Sequence, residues 1–229
     1  MENTVELRNV SKVYQQNSVA VRALTDVSLT IPRCDFLCLS GPSGSGKSTL
    51  LNLIGGLDRP TGGEVLVDGN RVDAMESGAL AKLRLHRIGF VFQAYNLIPV
   101  LTAQENVEFV MQLQGVPAAE RAARARKILD EVELDGMEDR RPGALSGGQQ
   151  QRVAVARAIV SEPSLVLADE PTANLDSKTA EHLMQMLVRM NTEHNVTFIF
   201  STHDKLVMDF SRRLIKLRDG RIVEDERRR

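Results

Sequence analysis

The stretch Gly41-Pro42-Ser43-Gly44-Ser45-Gly46-Lys47-Ser48-Thr49 constrains this chain more than any other. It follows the apolar run Phe36-Leu37-Cys38-Leu39 and precedes Leu50-Leu51-Asn52-Leu53-Ile54, an order that predicts strand, glycine-rich turn, helix. The pattern is glycine, four residues, glycine, lysine, then serine or threonine. Glycines let the backbone fold back and aim several N–H groups at one anion. The following helix turns the positive end of its dipole to the same point. Lys47 would then reach the β- and γ-phosphates of a nucleotide, Ser48 would place its hydroxyl on Mg²⁺, and Thr49 is set for another phosphate oxygen. At average residue usage the four fixed positions match by chance in roughly one chain in a hundred, so a ligand-free glycine turn is the weaker reading. The stretch specifies a phosphate-holding loop without specifying what it drives.

The rest of the chain supplies a scaffold for such a loop. Val5, Leu7 and Val10 open a loosely alternating strand that reaches Val13, with Tyr14 after it. Val27, Leu29 and Ile31 alternate with polar residues in a second strand from Val19 to Ile31, stopped by Pro32. Both predict antiparallel strands with one wet face. Glu64-Val65-Leu66-Val67-Asp68 is a short strand, residues 77–87 a helix, and Ile88-Gly89-Phe90-Val91-Phe92 a buried strand ending at Gln93. From residue 101 to about 134 no strand pattern is found. Thr102 and Glu105 form a capping box for a helix to about Gln114, Gly115 stops it, and Pro117 suits the first turn of the next helix, which runs to about Val132. The charges Glu120, Arg121, Arg124, Arg126 and Lys127 on that helix read as a solvated face or a contact with an acidic partner. A helix is predicted from Gln150 to Val160, and a strand Leu165-Val166-Leu167-Ala168 ends in Asp169-Glu170. Ala180, Leu183, Met184, Leu187 and Met190 recur at core spacing in a helix from Ser177 to about Glu193. Val196-Thr197-Phe198-Ile199-Phe200 reads as the last buried strand, a hairpin at Asp219-Gly220 closes the chain, and Glu226-Arg227-Arg228-Arg229 is expected to be disordered.

Buried strands alternating with helices predict an α/β fold with a mostly parallel sheet. The chain reads as a single domain over 1–229. Residues of about 1–93 and 162–229 form its core together with an antiparallel β subdomain, and about 94–161 form an inserted helical subdomain. A net charge of −1 gives no argument for sequence-independent nucleic-acid binding. No apolar run reaches the roughly 20 residues of a membrane-spanning helix, and Met1-Glu2-Asn3-Thr4 is unlike a signal peptide. These features lead to an expectation of a cytoplasmic chain without direct membrane insertion. Cys34 and Cys38 flank one short strand, lack other ligands nearby, and read as small core residues.

Phosphoryl transfer to water needs groups that hold the phosphates, hold Mg²⁺ and orient the attacking water. A carboxylate at the end of a neighbouring buried strand suits the second task, and Asp169 stands there as an outer, water-mediated magnesium partner. Glu170 follows as the general base. Paired acids after a strand also suit helix capping, but the phosphate loop upstream favours the catalytic reading.

Leu145-Ser146-Gly147-Gly148-Gln149 matches the signature motif of ABC-type ATPases, and it stands between the phosphate loop and Asp169-Glu170 in the order that family shows. The resemblance covers nearly the whole chain. It implies a P-loop NTPase fold of the ABC type, with ATP and Mg²⁺ as cofactors. It implies that Tyr14 stacks on adenine, a residue that alone reads equally as strand-end packing. Gln93 resembles the glutamine that touches Mg²⁺ and the attacking water, and His203 the histidine that bonds the γ-phosphate. Ala173-Asn174-Leu175-Asp176 resembles the loop by which each subunit senses the other's site, although Asn174 departs from the small residue common there. The signature would complete a partner's site, with Ser146, Gly147, Gly148 and Gln149 facing the ATP held by a second copy in a head-to-tail homodimer.

A narrower resemblance rests on Leu51-Asn52-Leu53-Ile54-Gly55-Gly56-Leu57-Asp58, Ile88-Gly89-Phe90-Val91-Phe92-Gln93-Ala94-Tyr95-Asn96-Leu97-Ile98-Pro99 and Ala168-Asp169-Glu170-Pro171-Thr172. These are similar to the LolD/MacB/FtsE branch. That branch implies an ATPase on the cytoplasmic face of the inner membrane, driving a permease for lipoprotein export, macrolide or peptide efflux, or mechanotransmission. An FtsE-like division regulator and a soluble non-transport ATPase are the alternatives. The permease would dock in a groove near residues 93–101, where Leu97, Ile98, Val100 and Leu101 suit either a helix-in-groove contact or core packing.

Overall fold

The computed structural model describes residues 2–16 and 19–228. The chain opens with two long strands, β1 (Asn3–Gln16) and β2 (Val19–Pro32), paired antiparallel. Tyr14 lies within β1, two residues before its end, because pairing with β2 carries the strand past the alternating stretch. The apolar β3 (Phe36–Ser40) leads into the phosphate loop and α1 (Lys47–Ile54). Then come β4 (Gly62–Val67), the short β5 (Asn70–Arg71), α2 (Ser77–Arg87) and β6 (Ile88–Phe92).

Three helices follow: α3 (Ala103–Leu113), α4 (Ala118–Glu131) and, after a 3₁₀ turn Pro142–Ala144, α5 (Gly147–Ile159). The capping box of Thr102 and Glu105 forms as predicted. Pro117 stands at the N-cap position, one residue before the first turn of α4 in which the sequence placed it, and makes no side-chain cap bond. Helix α5 begins three residues earlier than the sequence reading placed it. Ser146 accepts from the Gln149 amide and the Gln149 side chain accepts from the Ser146 amide, a second capping box that starts the helix at the two glycines. The remaining elements are β7 (Leu165–Asp169), α6 (Ser177–Glu193), β8 (Thr197–Ser201), α7 (Lys205–Phe210), β9 (Arg213–Arg218) and β10 (Arg221–Arg227).

The strands form two sheets. One is antiparallel, in the order β2-β1-β4-β5; the other runs β10-β9-β3-β8-β7-β6 and is parallel except for the edge pair of β9 and β10. Period-two alternation divides the parallel strands between two cores. Phe36, Val166, Phe198 and Phe200 point to the side of α3–α6, and Leu37, Leu39, Leu165 and Ile199 to the side of α1 and the antiparallel sheet. Both faces are covered, which explains the near-continuous apolar runs of β3, β7 and β8. The Phe36 and Phe200 rings meet at 4.7 Å, tilted by 55°.

Four expectations need correction. Strand β8 is not the last buried strand, since β9 lies beside β3 with Leu214, Ile215 and Leu217 buried. Arg213 is buried in β9, its guanidinium bonding Asp225 at 2.8 and 2.7 Å and the Thr30 carbonyl at 2.8 Å. The tail is ordered through Arg228: Glu226 and Arg227 pair with β9, and Arg228 bonds the carbonyls of Arg212 and Met208. Arg229 lies outside the described residues. Strand β8 separates β3 from β7, so Asp169 ends the next strand but one rather than a neighbour. Finally, Cys38 is buried inside β3, whereas Cys34 sits partly exposed in the preceding turn, its thiol donating to the Asn195 carbonyl at 3.3 Å.

Candidate nucleotide site

The strand order brings four loops to one edge of the parallel sheet. The loops after β3, β8, β7 and β6 carry the phosphate loop, His203, Asp169-Glu170 and Gln93. They meet the ends of β1 and β2 around an open cleft of about 750 Å³. Its lining includes Tyr14, Pro42, Ser43, Gly44, Gly46, Lys47, Ser48, Thr49, Gln93, Glu170 and His203, all singled out from sequence.

The loop's conformation depends on three glycines with positive φ, Gly41 at 147°, Gly44 at 77° and Gly46 at 104°. A Cβ on Gly41 would lie 2.2 Å from the Leu217 carbonyl oxygen, and one on Gly46 would lie 2.6 Å from that of Ala23. The phosphate loop is therefore clamped between β9 and β2. Gly220 completes the clamp: its amide donates to the Ser45 carbonyl at 3.1 Å and its carbonyl accepts from the Thr25 amide at 2.8 Å. Gly41 and Ser45 lie in the loop but do not line the cleft. Lys47 is buried and donates to the Gly41 and Pro42 carbonyls at 2.8 and 3.1 Å, an ammonium held over the loop. Ser48 Oγ lies 3.3 Å from Asp169 Oδ1. With Gln93 this is an all-oxygen donor set of the hard kind that Mg²⁺ prefers, with one carboxylate and room for phosphate oxygens.

Glu170 has a left-handed backbone, φ 46°, uncommon for a non-glycine residue and of the sort that collects at reactive sites. Its amide donates to the Ser201 carbonyl at 2.8 Å, which ties it to the end of β8. One carboxylate oxygen accepts from the Thr202 hydroxyl at 2.7 Å and the other lies 2.7 Å from His203 Nδ1. The imidazole is 77% exposed and lines the cleft.

At the other end, the Tyr14 hydroxyl donates to Asp58 at 2.8 Å. Lys12 Nζ bonds the same carboxylate at 2.6 Å and stands 4.7 Å from the Tyr14 ring centroid, a cation–π contact that fixes the ring. Burial raises the Tyr14 hydroxyl above its ordinary pKa, with the Asp58 bond adding to it. Burial also disfavours the Asp58 carboxylate, but the bonds from Lys12 and Tyr14 outweigh this and hold it below the usual range. Sequence reading missed this pair, as it missed Val21, Arg22 and Ala23 of β2 in the cleft wall.

The signature residues stand apart. None of Ser146, Gly147, Gly148 and Gln149 lines the cleft of their own chain. They form the start of α5, with the Tyr95 hydroxyl 2.9 Å from where a Gly147 Cβ would sit. Asn174 joins the two regions, its amide donating to the Gln93 carbonyl at 2.9 Å. After Gln93 the chain takes two left-handed residues, Tyr95 and Asn96, whose carbonyls accept from Arg157 of α5 at 2.9 and 2.6 Å. A second cleft of about 410 Å³ opens beside this loop, lined by Leu85, Phe90, Phe92, Asn96, Val110 and Arg157 among others. The expected groove residues contribute little to it. Leu97 packs on the core, Val100 points outward, and buried Asn106 holds the loop through the Ile98, Leu101 and Thr102 carbonyls.

Residues 24–173 match the family described as ABC transporter. The lipoprotein-releasing system ATP-binding protein LolD of Anaeromyxobacter dehalogenans is 48% identical, over 97% of this chain and 93% of its own length. The macrolide export ATP-binding/permease protein MacB of Brucella melitensis is 45% identical over 98% of this chain but only 35% of its own, so this chain spans about a third of that protein. A solved dimeric structure of an ATP-binding cassette from Methanocaldococcus jannaschii, in a post-hydrolysis state bound to ADP and Pi, is 45% identical. It has a TM-score of 0.91 and covers 98% of this chain and 99% of that one.

Proposed function

The chain belongs to the ABC transporter ATP-binding family and is an ATPase of that type, and from this premise we propose that two copies bind two ATP molecules head to tail and drive a separate membrane permease. The observation that carries this reading is the separation of the signature from the cleft. One chain holds the phosphate loop, the Asp169-Glu170 pair and His203 together, while the capped helix start at residues 146–149 does not line their cleft. Such a helix start suits an anion supplied from outside the chain.

Within the site, Lys47 exchanges the Gly41 and Pro42 carbonyls for the β- and γ-phosphates. Ser48, Gln93 and Asp169 (the last through water) would hold Mg²⁺, which supplies charge neutralisation between the phosphates. Glu170 takes the proton of the attacking water on a carboxylate oxygen. His203, released from Glu170, turns its imidazole to the γ-phosphate. Tyr14 stacks on the base. ATP joins the two copies because each γ-phosphate is gripped from both sides; hydrolysis and phosphate release remove that bridge, and the pair opens.

The permease contact is placed at the cleft beside residues 93–101, between α2, β6, α3 and α5. Its walls of Leu85, Phe90, Phe92 and Val110 suit an amphipathic helix, and Arg157 of α5 holds the Tyr95 and Asn96 carbonyls of the loop that follows Gln93. Among the described residues no helix is long and apolar enough to cross a membrane; attachment to the cytoplasmic face through the permease is the corresponding placement. The test is a pull-down of tagged Glu170→Gln chain with ATP from detergent-solubilised membranes, read by mass spectrometry. Co-purification of an integral membrane protein is expected. Recovery of ribosomal or DNA-associated proteins alone would contradict the permease reading.

A further inference from the structure

β1 and β2 lose register beside the nucleotide cleft. Lys12 pairs with Leu24 and Val13 with Arg22, so Ala23 has no residue opposite it. This is a β-bulge, a device that re-aims side chains at the rims of sites. In a regular strand, alternate side chains face opposite sides. Here three consecutive residues, Val21, Arg22 and Ala23, all line the cleft.

Their order along the cleft is fixed from both ends. Val21 pairs with Tyr14, the base platform. The Ala23 carbonyl presses on Gly46 of the phosphate loop, 2.6 Å from where a Cβ would sit. Arg22 stands between the two. The other cations of the cleft and its base platform are engaged by the protein itself: Lys47 by the Gly41 and Pro42 carbonyls, Lys12 by Asp58 and the Arg59 carbonyl. Arg22 is exposed, and among the described residues its guanidinium has no hydrogen-bond or ion-pair partner. A planar five-donor cation between a base platform and a phosphate loop fits the phosphate nearest the ribose.

We propose that Arg22 is a nucleotide-binding residue that contacts the α-phosphate. The inference rests on the cleft being the nucleotide site. Because ADP and ATP share the α-phosphate, the contact adds affinity for both and does not discriminate between them.

The experiment titrates wild type, Arg22→Ala, Arg22→Gln and Arg22→Lys with ADP and with a non-hydrolysable ATP analogue by calorimetry, at low and at high salt. Arg22→Ala and Arg22→Gln are expected to weaken both nucleotides by the same factor. That factor is roughly five- to tenfold, the loss of one part-exposed charge-assisted contact. It should shrink at high salt, and Arg22→Lys should recover part of it. Melting temperatures should not move, since the side chain has no protein partner among the described residues. Unchanged affinity for both nucleotides in Arg22→Ala and Arg22→Gln would overturn the assignment, and so would a loss confined to the ATP analogue, which would move the contact to the γ-phosphate. Wild type that binds neither nucleotide would instead sink the reading of the cleft itself.

Discussion

Replacing Glu170 by glutamine separates catalysis from folding. The two side chains have nearly the same volume, so packing at the ends of β7 and β8 is kept. Glu170 accepts from Thr202 at 2.7 Å and lies 2.7 Å from His203. Glutamine can keep one of these as an acceptor and must turn its amide towards the other. The structural loss is about one hydrogen bond, roughly 1 kcal/mol, which for a domain of this size lowers the melting temperature by about 2–4 °C. The catalytic loss is larger, because an amide cannot take a proton from water. Removing a positioned base costs about 10²–10⁴ in rate, or about 3–5 kcal/mol of barrier. The assay is single-turnover phosphate release at saturating ATP, with nucleotide affinity measured in parallel. Slowing of at least roughly 100-fold with affinity retained is expected. Turnover within tenfold of wild type would refute Glu170 as the base.

Other perturbations probe the scaffold. A Cβ on Gly89 would lie 2.3 Å from the Ala158 carbonyl oxygen, so Gly89→Ala must push α5 off β6. Urea melts should show a loss of about 1–3 kcal/mol, and an unchanged midpoint would contradict the close approach. Asp58→Asn should lower stability by about 1–2 kcal/mol at neutral pH by weakening the bonds to Lys12 and Tyr14. Asp58 is held below its ordinary pKa of 3.8, so its contribution is present above that value and lost as pH falls through the folded-state pKa. The gap in melting temperature between Asp58→Asn and wild type should therefore narrow in strong acid, and a constant gap would contradict the carboxylate's role. Burial, with the Glu170 charge second, pushes the Cys38 thiol up to about 12. Ellman's reagent should titrate one thiol, Cys34, in the native chain and both after unfolding; two reactive native thiols would contradict the burial of β3.

The site was legible where chemistry is carried by contiguous residues. The phosphate loop, Asp169-Glu170 and the Thr102–Glu105 capping box are local patterns, and the structure forms each of them. The parts that depend on distant partners were not legible. Strand β9 hides behind flanking arginines until Asp225 neutralises Arg213 from the next strand. Gly220 reads as a hairpin turn, yet it braces the phosphate loop against β2. The bulge at Ala23 depends on register between strands, which no single strand encodes, and it alone brings Arg22 to the cleft. Lys12 and Asp58 lie 46 residues apart, and only the fold brings them together at Tyr14. The start of α5 was recoverable, since Ser146-Gly147-Gly148-Gln149 has capping-box spacing as well as the signature pattern.

The claim that two copies share each ATP is tested most directly by light scattering on Glu170→Gln with and without ATP. The account predicts a mass near 25.3 kDa without nucleotide and twice that with ATP, with the dimer lost when Ser146→Arg is added to the same chain. A monomer at saturating ATP, or a dimer unaffected by the Ser146 change, would contradict it.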